Sequence, residues 1–373
     1  MQVSAPGKLF LSGEWSVLEV GNPGIVAAVD KRVHVEIDEN LENEHISISV
    51  DDFKIEDAKA IFEDNRLKWD SNVTDDERAR LVFMKNAIET ALRYLNGFFP
   101  FRIRSWGEKS QITIEGKTKK IGFGSSAAAV VATIAALLQY SGLDISTRET
   151  KDKIYKLSTI AHYFAQGKVG SAFDVAASTY GGLFVYKRFD PGWLMKQIDE
   201  GRSIKEIVEQ DWPGFYIENL YVPNYFILLV AWTKEPSSTS KMVKQMDEFK
   251  KNSPDEYNRI YSDITRLVEQ LRDAWNSEDR EKIIELLRKN ELILHELTQK
   301  SGVSIETTEL KRLADIANDN GAAGKLSGAG GGDCGIAICF SNFIAENVKK
   351  KWEEAGFYLL DTTIDKKGVV VRG

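Results

Sequence analysis

Cysteine and histidine are scarce in this 373-residue chain, and each scarcity removes a class of chemistry. Cys334 and Cys339 stand five residues apart in an apolar, strand-like run, which puts them on opposite faces where they can neither bridge nor share a metal. The histidines, His34, His45, His162 and His295, are scattered, and no HExxH, CxxC or His-Cys spacing suited to zinc occurs. There is no GxSxG elbow for a serine hydrolase, no GxxxxGK[ST] P-loop, and neither the HRD nor the DFG element of protein kinases. The one formal GxGxxG, Gly330 to Gly335, is followed by the strand-like IAICF rather than a helix, so it is no dinucleotide fingerprint. No run of about 18 apolar residues is present, and Met1 to Leu11 carries Lys8 and lacks a long apolar core, so a cytoplasmic protein with reduced cysteines is expected. A formal charge of −7 weighs against nucleic acid or an anionic membrane as a partner. Any anionic small molecule must then be drawn in by local lysines.

What the chain does have is glycine in three concentrated places. Ile121 to Tyr140, IGFGSSAAAVVATIAALLQY, runs from a loop of two glycines and two serines straight into an alanine-rich apolar helix. Glycines let the backbone approach an anion, serine hydroxyls can cap the helix, and the first-turn N–H groups carry about half a positive charge, so the segment reads as a phosphate cradle. A capped core helix after a tight turn would look similar, and two further segments weigh against that simpler reading. Gly324 to Gly335, GKLSGAGGGDCG, holds more glycine than a turn requires, as expected where backbone N–H groups pack against a ligand. Gly167 to Gly182, GKVGSAFDVAASTYGG, places a single carboxylate, Asp174, among small residues, where it needs a partner or caps a helix at Val175. The obvious cation is Lys8.

The organisation reads as α+β, with 43% hydrophobic residues to fill two domains that share a cleft. Short alternating runs predict strands at VHVEI, HISISV, FRIRSW and QITIEG. Helical periodicity predicts helices over 75–95, 126–140, 147–166, 240–249, 255–275, 278–300 and 305–318. YGGLFVY (180–186) and YFILLVAW (225–232) read as buried strands that open the second half, giving domains of 1–190 and 191–373.

With these segments in hand, the chain resembles the GHMP kinase superfamily of small-molecule kinases along its whole length. The three motifs that carry the resemblance are Ala5 to Glu14 (APGKLFLSGE), Gly122 to Ala128 (GFGSSAA) and Ser327 to Gly335 (SGAGGGDCG). Within the superfamily it is similar to the phosphomevalonate kinase branch, through HYFAQGKVGSAFDVA (162–176) and WTKEPSSTSKMV (232–243). Ala172 departs from the family's usual glycine, and Tyr163 stands where mevalonate kinases carry a magnesium-binding glutamate.

The resemblance implies a fold of an N-terminal ribosomal-protein-S5-like α/β domain and a C-terminal ferredoxin-like domain with the active site between them. It implies ATP as cosubstrate, Mg2+ as cofactor, and transfer of the γ-phosphoryl group to the phosphate of 5-phosphomevalonate in the mevalonate pathway of isoprenoid biosynthesis. By the same resemblance, Lys8 and Asp174 are the catalytic pair, Lys8 on the transferring phosphoryl group and Asp174 holding Lys8 or the acceptor. Lys120, Gly122, Gly124, Ser125, Ser126 and Ala127 are expected to bind the ATP phosphates, with the Ser126 hydroxyl a magnesium ligand. Lys168, Ser171, Ser237, Ser238, Thr239 and Lys241 are expected on the substrate, with Gly328, Ala329, Gly330 and Gly331 closing over it. Small molecules are the only partners expected, for a monomer or homodimer. Mevalonate kinase or another GHMP kinase is the alternative activity, and a non-catalytic sensor on the same fold is the alternative class.

Overall fold

The computed structural model describes residues 1–40, 44–108, 111–114, 117–120, 122–235 and 239–372. The chain begins with β1 (Gln2–Ser12), β2 (Pro23–Glu39), β3 (Ile46–Val50), β4 (Ile55–Glu63) and β5 (Arg66–Trp69). It continues through α1 (Asp75–Arg80), α2 (Val82–Leu95), β6 (Phe101–Gly107), the ribbon β7 (Gln111–Ile114) and β8 (Lys117–Lys120), α3 (Ser125–Tyr140), α4 (Arg148–Ala165), α5 (Phe173–Tyr180) and β9 (Leu183–Lys187). Then come α6 (Pro191–Asp199), α7 (Ile204–Val208), β10 (Tyr216–Leu220), β11 (Ile227–Trp232), α8 (Thr239–Asn252), α9 (Pro254–Asn276), α10 (Arg280–Ser301) and α11 (Thr308–Asp319). The chain closes with β12 (Ala323–Leu326), β13 (Cys334–Cys339), α12 (Asn342–Glu354), β14 (Tyr358–Leu360) and β15 (Val370–Arg372).

Two sheets carry these elements. The larger runs β10-β9-β2-β6-β3-β4-β5, with β1 paired to β2 on one edge and β15 on the other. The smaller is antiparallel in the order β12-β13-β11-β14. Strands β1 and β2 alternate between two cores, as the period of two in a strand demands. Phe10, Val26 and Ala28 face the helices of the first half, whereas Leu9, Leu11, Ile25, Ala27 and Val29 face the buried side chains of α9 and α10. The first strand pair is thus the wall shared by both halves, and the glycine motif on β1 lies in that wall.

Several expectations change. The predicted helix over 75–95 is two helices, because Leu81 leaves helical geometry, and α1 has its own Thr74–Glu77 capping box. The strand around 183–187 does not open the second half: β9 pairs with β2 and β10 inside the larger sheet. Leu194, Ile204, Ile207, Val208 and Trp212 likewise join the first core. Cys334 and Cys339 do fall on opposite faces of β13, each buried and unbridged. Among the described residues, no helix is long and apolar enough to cross a membrane.

The last residues return to the first unit and fix the helix that bears Asp174. Val369 N–H donates to the Thr179 carbonyl at 3.1 Å, and Gly182 N–H to the Asp365 carbonyl at 2.6 Å. Buried Arg32 secures this return, donating to the carbonyls of Ser4 and Gly368, each at 2.7 Å, and to the carboxylate of Asp365. Replacing Arg32 by Met removes the cation paired with Asp365 and the donor to both carbonyls, and should destabilise the fold by about 3–5 kcal/mol. Denaturant unfolding measures that loss, and limited proteolysis should nick the C-terminal segment first.

Candidate active site

Three glycine-bearing segments, far apart in sequence, are hydrogen-bonded to one another around one cavity of about 400 Å³. The first and second meet where the Lys8 N–H donates to the Phe123 carbonyl at 2.8 Å and its ammonium to the Gly122 carbonyl at 2.9 Å. Gly7 is required beside them, since a Cβ there would stand 2.7 Å from the Phe123 oxygen. The first and third meet through Ser327, whose hydroxyl accepts from Phe10 N–H at 2.9 Å and donates to its carbonyl at 3.0 Å. The second and third meet through Asp333, whose carboxylate accepts the Gly122 N–H at 3.0 Å.

Helix α3 enters the cavity with its N-terminus open. The serines were expected to cap it, but the cap is Gly124 at φ +76° with no side-chain cap, and Ser125 and Ser126 already lie in the first turn. The N–H groups that a cap would occupy are therefore left to an anion. Helix α5 also starts without a side-chain cap, from Ala172 at φ +61°, and Ala172, Phe173 and Asp174 line the cavity opposite. The position is left-handed, which glycine adopts freely and alanine does not, so Ala172 is strained there.

Lys8 and Asp174 flank Gly124, where a Cβ would lie 3.1 Å from Lys8 Cγ and 3.6 Å from Asp174 Cβ. The expected ion pair between them is not made. Among the described residues no such contact within 4 Å occurs: the Lys8 ammonium goes to the Gly122 carbonyl, and Asp174 accepts from Val175 N–H at 2.9 Å. Ser126 Oγ lies 3.2 Å from Nε2 of buried His162. Burial pushes the His162 imidazole below its ordinary pKa, with Asp174 opposing, so at neutral pH it is uncharged. A neutral Nε2 that accepts the Ser126 proton leaves the hydroxyl's lone pairs free.

Of the other expected residues, Gly122, Ser125, Ser171, Gly328, Ala329 and Gly330 line the cavity. The hydroxyls of Ser125 and Ser171 are buried there without a partner. Ala127, Lys168, Lys241 and Gly331 are not part of the lining. Ala127 is fully buried in the core, Lys168 and Lys241 are exposed, and the Gly331 N–H is spent on the Ile305 carbonyl at 2.7 Å. Ser237 and Ser238 lie outside the described residues, and for Lys120 and Thr239 only the backbone is described. Sequence reasoning gave no role to His162 or Asp333. Asp333 had a signal, as the only charged residue between Gly328 and Gly335.

Behind the third segment sits a buried polar cluster. Lys325 pairs with Glu14, which lines the cavity, and both are almost wholly buried. Glu306 is bonded to His295 Nδ1 at 2.5 Å, next to Ile305, whose carbonyl receives Gly331. Burial raises the Glu306 carboxyl from its ordinary 4.5 to about 7, with His295 opposing and Glu291 adding to the rise.

Two outcomes follow from this geometry. Ala172→Gly should stabilise the protein by about 1 kcal/mol by removing the left-handed strain, read as a higher denaturation midpoint. The folded chain holds the Glu306 proton more tightly than the unfolded chain, so this group favours folding most at low pH, and its contribution fades as pH rises to about 7. Glu306→Gln should therefore gain stability relative to the wild type between pH 5 and pH 8, as thermal melts at the two pH values would record.

Comparison with known proteins agrees with this arrangement. The model of the GHMP kinases N terminal domain matches residues 83–182, and that of the GHMP kinases C terminal matches residues 244–357. The phosphomevalonate kinase of Streptomyces sp. (strain CL190) is 31% identical over 98% of this chain and 97% of its own. Among solved structures, the Lin0012 protein from Listeria innocua superposes with a TM-score of 0.87 at 31% identity, covering 100% of this chain and 99% of that one. Streptococcus pneumoniae phosphomevalonate kinase in complex with phosphomevalonate and AMPPNP superposes with a TM-score of 0.81 at 26% identity, covering 98% and 99%. With three linked glycine motifs around one cleft and these likenesses along its full length, the chain belongs to the GHMP kinases, in their phosphomevalonate kinase family.

Proposed function

We propose that the chain transfers the γ-phosphoryl group of ATP to the phosphate of 5-phosphomevalonate, giving 5-diphosphomevalonate and ADP. The observation that carries the reading is the convergence of Lys8, the open N-terminus of α3 and Asp174 on one cavity around Gly124. The relatives that span the whole chain point to the same reaction.

Two phosphates approaching one another repel strongly unless cations and oriented N–H groups intervene, so positioning and charge neutralisation are what the protein chiefly has to supply. The first turn of α3 supplies N–H donors for the ATP phosphates, and the Lys8 ammonium supplies a mobile charge within reach of the transferring group. The Lys8 contact to the Gly122 carbonyl aims the ammonium while leaving two of its three protons for oxygen ligands. A phosphate monoester with a second pKa of about 6 is already largely dianionic near neutral pH, so the acceptor needs no strong base. Asp174 then has no proton to abstract, and its charge instead complements the cations gathered at the cavity.

Among the described residues no cluster of three His, Cys, Asp or Glu could hold a metal, which suits magnesium that arrives with ATP and draws most of its shell from phosphate and water. The Ser126 hydroxyl, 3.2 Å from His162 Nε2, is the protein oxygen that fits it, and magnesium would add neutralisation of phosphate charge. The two buried, unbridged cysteines suit a cytoplasmic location.

The test is ADP release with Mg2+ and ATP against mevalonate, 5-phosphomevalonate and 5-diphosphomevalonate, with mass detection of the product. Turnover is expected on 5-phosphomevalonate alone, and Lys8→Met should lower kcat by about 10²–10³. Turnover on mevalonate instead would overturn the assignment of the acceptor.

A further inference from the structure

Asp333 is expensive to keep. It sits at φ +64° directly after Gly328, Gly330, Gly331 and Gly332, all of which also have positive φ. A fifth glycine would adopt that conformation freely, whereas an aspartate must carry its Cβ into the left-handed region. Its backbone is pinned on both sides, by N–H donation to the Glu235 carbonyl at 2.7 Å and by Thr233, whose N–H and hydroxyl both donate to the Asp333 carbonyl at 2.9 and 3.1 Å. Those contacts need no particular side chain. The carboxylate does what glycine could not, crossing from the second unit to take the Gly122 N–H at 3.0 Å, and a Cβ on Gly122 would collide with it.

The same Gly122 residue offers its carbonyl to the Lys8 ammonium at 2.9 Å. Gly122 is therefore held from two directions, its N–H by an anion from the second unit and its C=O by the cation that faces the reacting phosphates. We propose that Asp333 is a positioning residue for phosphoryl transfer, which clamps Gly122 across the cleft and through it sets where Lys8 points. The inference rests on the kinase reading above, since it assigns Lys8 to the transferring group. Burial pushes the Asp333 carboxyl upward in pKa, opposed by the Gly122 N–H, then by the charge of Lys8 and by hydrogen bonds from Cys334 and Trp232. Asp333 lines the cavity but is assigned no contact with substrate.

The test uses Asp333→Gly and Asp333→Asn in the full chain, alone and combined with Lys8→Met. Asp333→Gly exchanges the left-handed strain for the lost Gly122 hydrogen bond, so its melting temperature should fall by no more than a few degrees and the kinetics are read on folded protein. Its kcat should drop about a hundredfold, the scale of a catalytic group misplaced by about 1 Å, while KM for ATP moves by less than about threefold. Asp333→Asn keeps an oxygen for the Gly122 N–H and should recover at least about tenfold of that loss. Added to Lys8→Met, Asp333→Gly should change kcat by less than about threefold, because a residue that acts through Lys8 has nothing left to position. A kcat for Asp333→Gly within about threefold of wild type would overturn the proposal, as would losses that simply multiply in the double variant. Hydrogen exchange at Gly122 gives a readout free of turnover: it should quicken in Asp333→Gly, and unchanged exchange would count against the clamp. If the wild type uses another acceptor, the kinase reading loses its substrate, while the exchange measurement and the same cycle on that acceptor still decide Asp333.

Discussion

The structure depends on a closed circuit of hydrogen bonds among three backbone segments. Lys8 joins the first to the second, Ser327 joins the third to the first, and Asp333 joins the second to the third. The third segment is mostly glycine, which loses more conformational freedom on ordering than any other residue, whereas the first is anchored by Leu9, Phe10 and Leu11 in the two cores. Tied together, they define a cavity whose walls come from both halves of the chain. The strand pair β1–β2 makes this possible, because its two faces belong to different cores and its glycine segment lies where they meet.

Electrostatics follow from that geometry. A cleft meant for two phosphates has to be positive in a protein of net charge −7, so the charge must be local and directional. The chain meets the requirement with backbone: α3 and α5 both begin without side-chain caps, and the Lys8 ammonium, held by the Gly122 carbonyl, stands beside them. Capping serines would have stabilised α3 while occupying the donors the anion needs. The strain at Ala172 and Asp333, both at positive φ beside the cavity, belongs to the same pattern of local stability given up at a functional site.

Much of this was legible in the residues. The apolar periodicity of 126–140 and 255–275 announced α3 and α9 closely, and the strand after Gly335 correctly argued against a dinucleotide site. The three glycine motifs located the cavity before any contact was known. What misled was direction. Ser125 and Ser126 look like capping residues by type, yet lie inside the helix because Gly124 takes the cap. Lys8 and Asp174 look like an ion pair by charge, yet each is turned to a backbone group. Gly331 looks like a ligand donor, yet its N–H is consumed by Ile305. In each case residue type stated what a group can bond to, and only the fold supplied the nearest partner.

The sequence by itself determined the class of the molecule as α+β, and it singled out the glycine segments, Lys8 and Asp174 that line one cavity. Those conclusions rest on local properties, namely side-chain period, the conformational freedom of glycine, and the sign of a charge, which a linear string carries in full. Only the tertiary structure decided that β9 and β10 belong to the first sheet, that the C-terminal residues return to brace α5, and that Asp333 reaches across the cleft to Gly122. These are pairings between residues up to hundreds of positions apart, and they are set by which surfaces bury one another, a property of the packed chain that no single segment encodes.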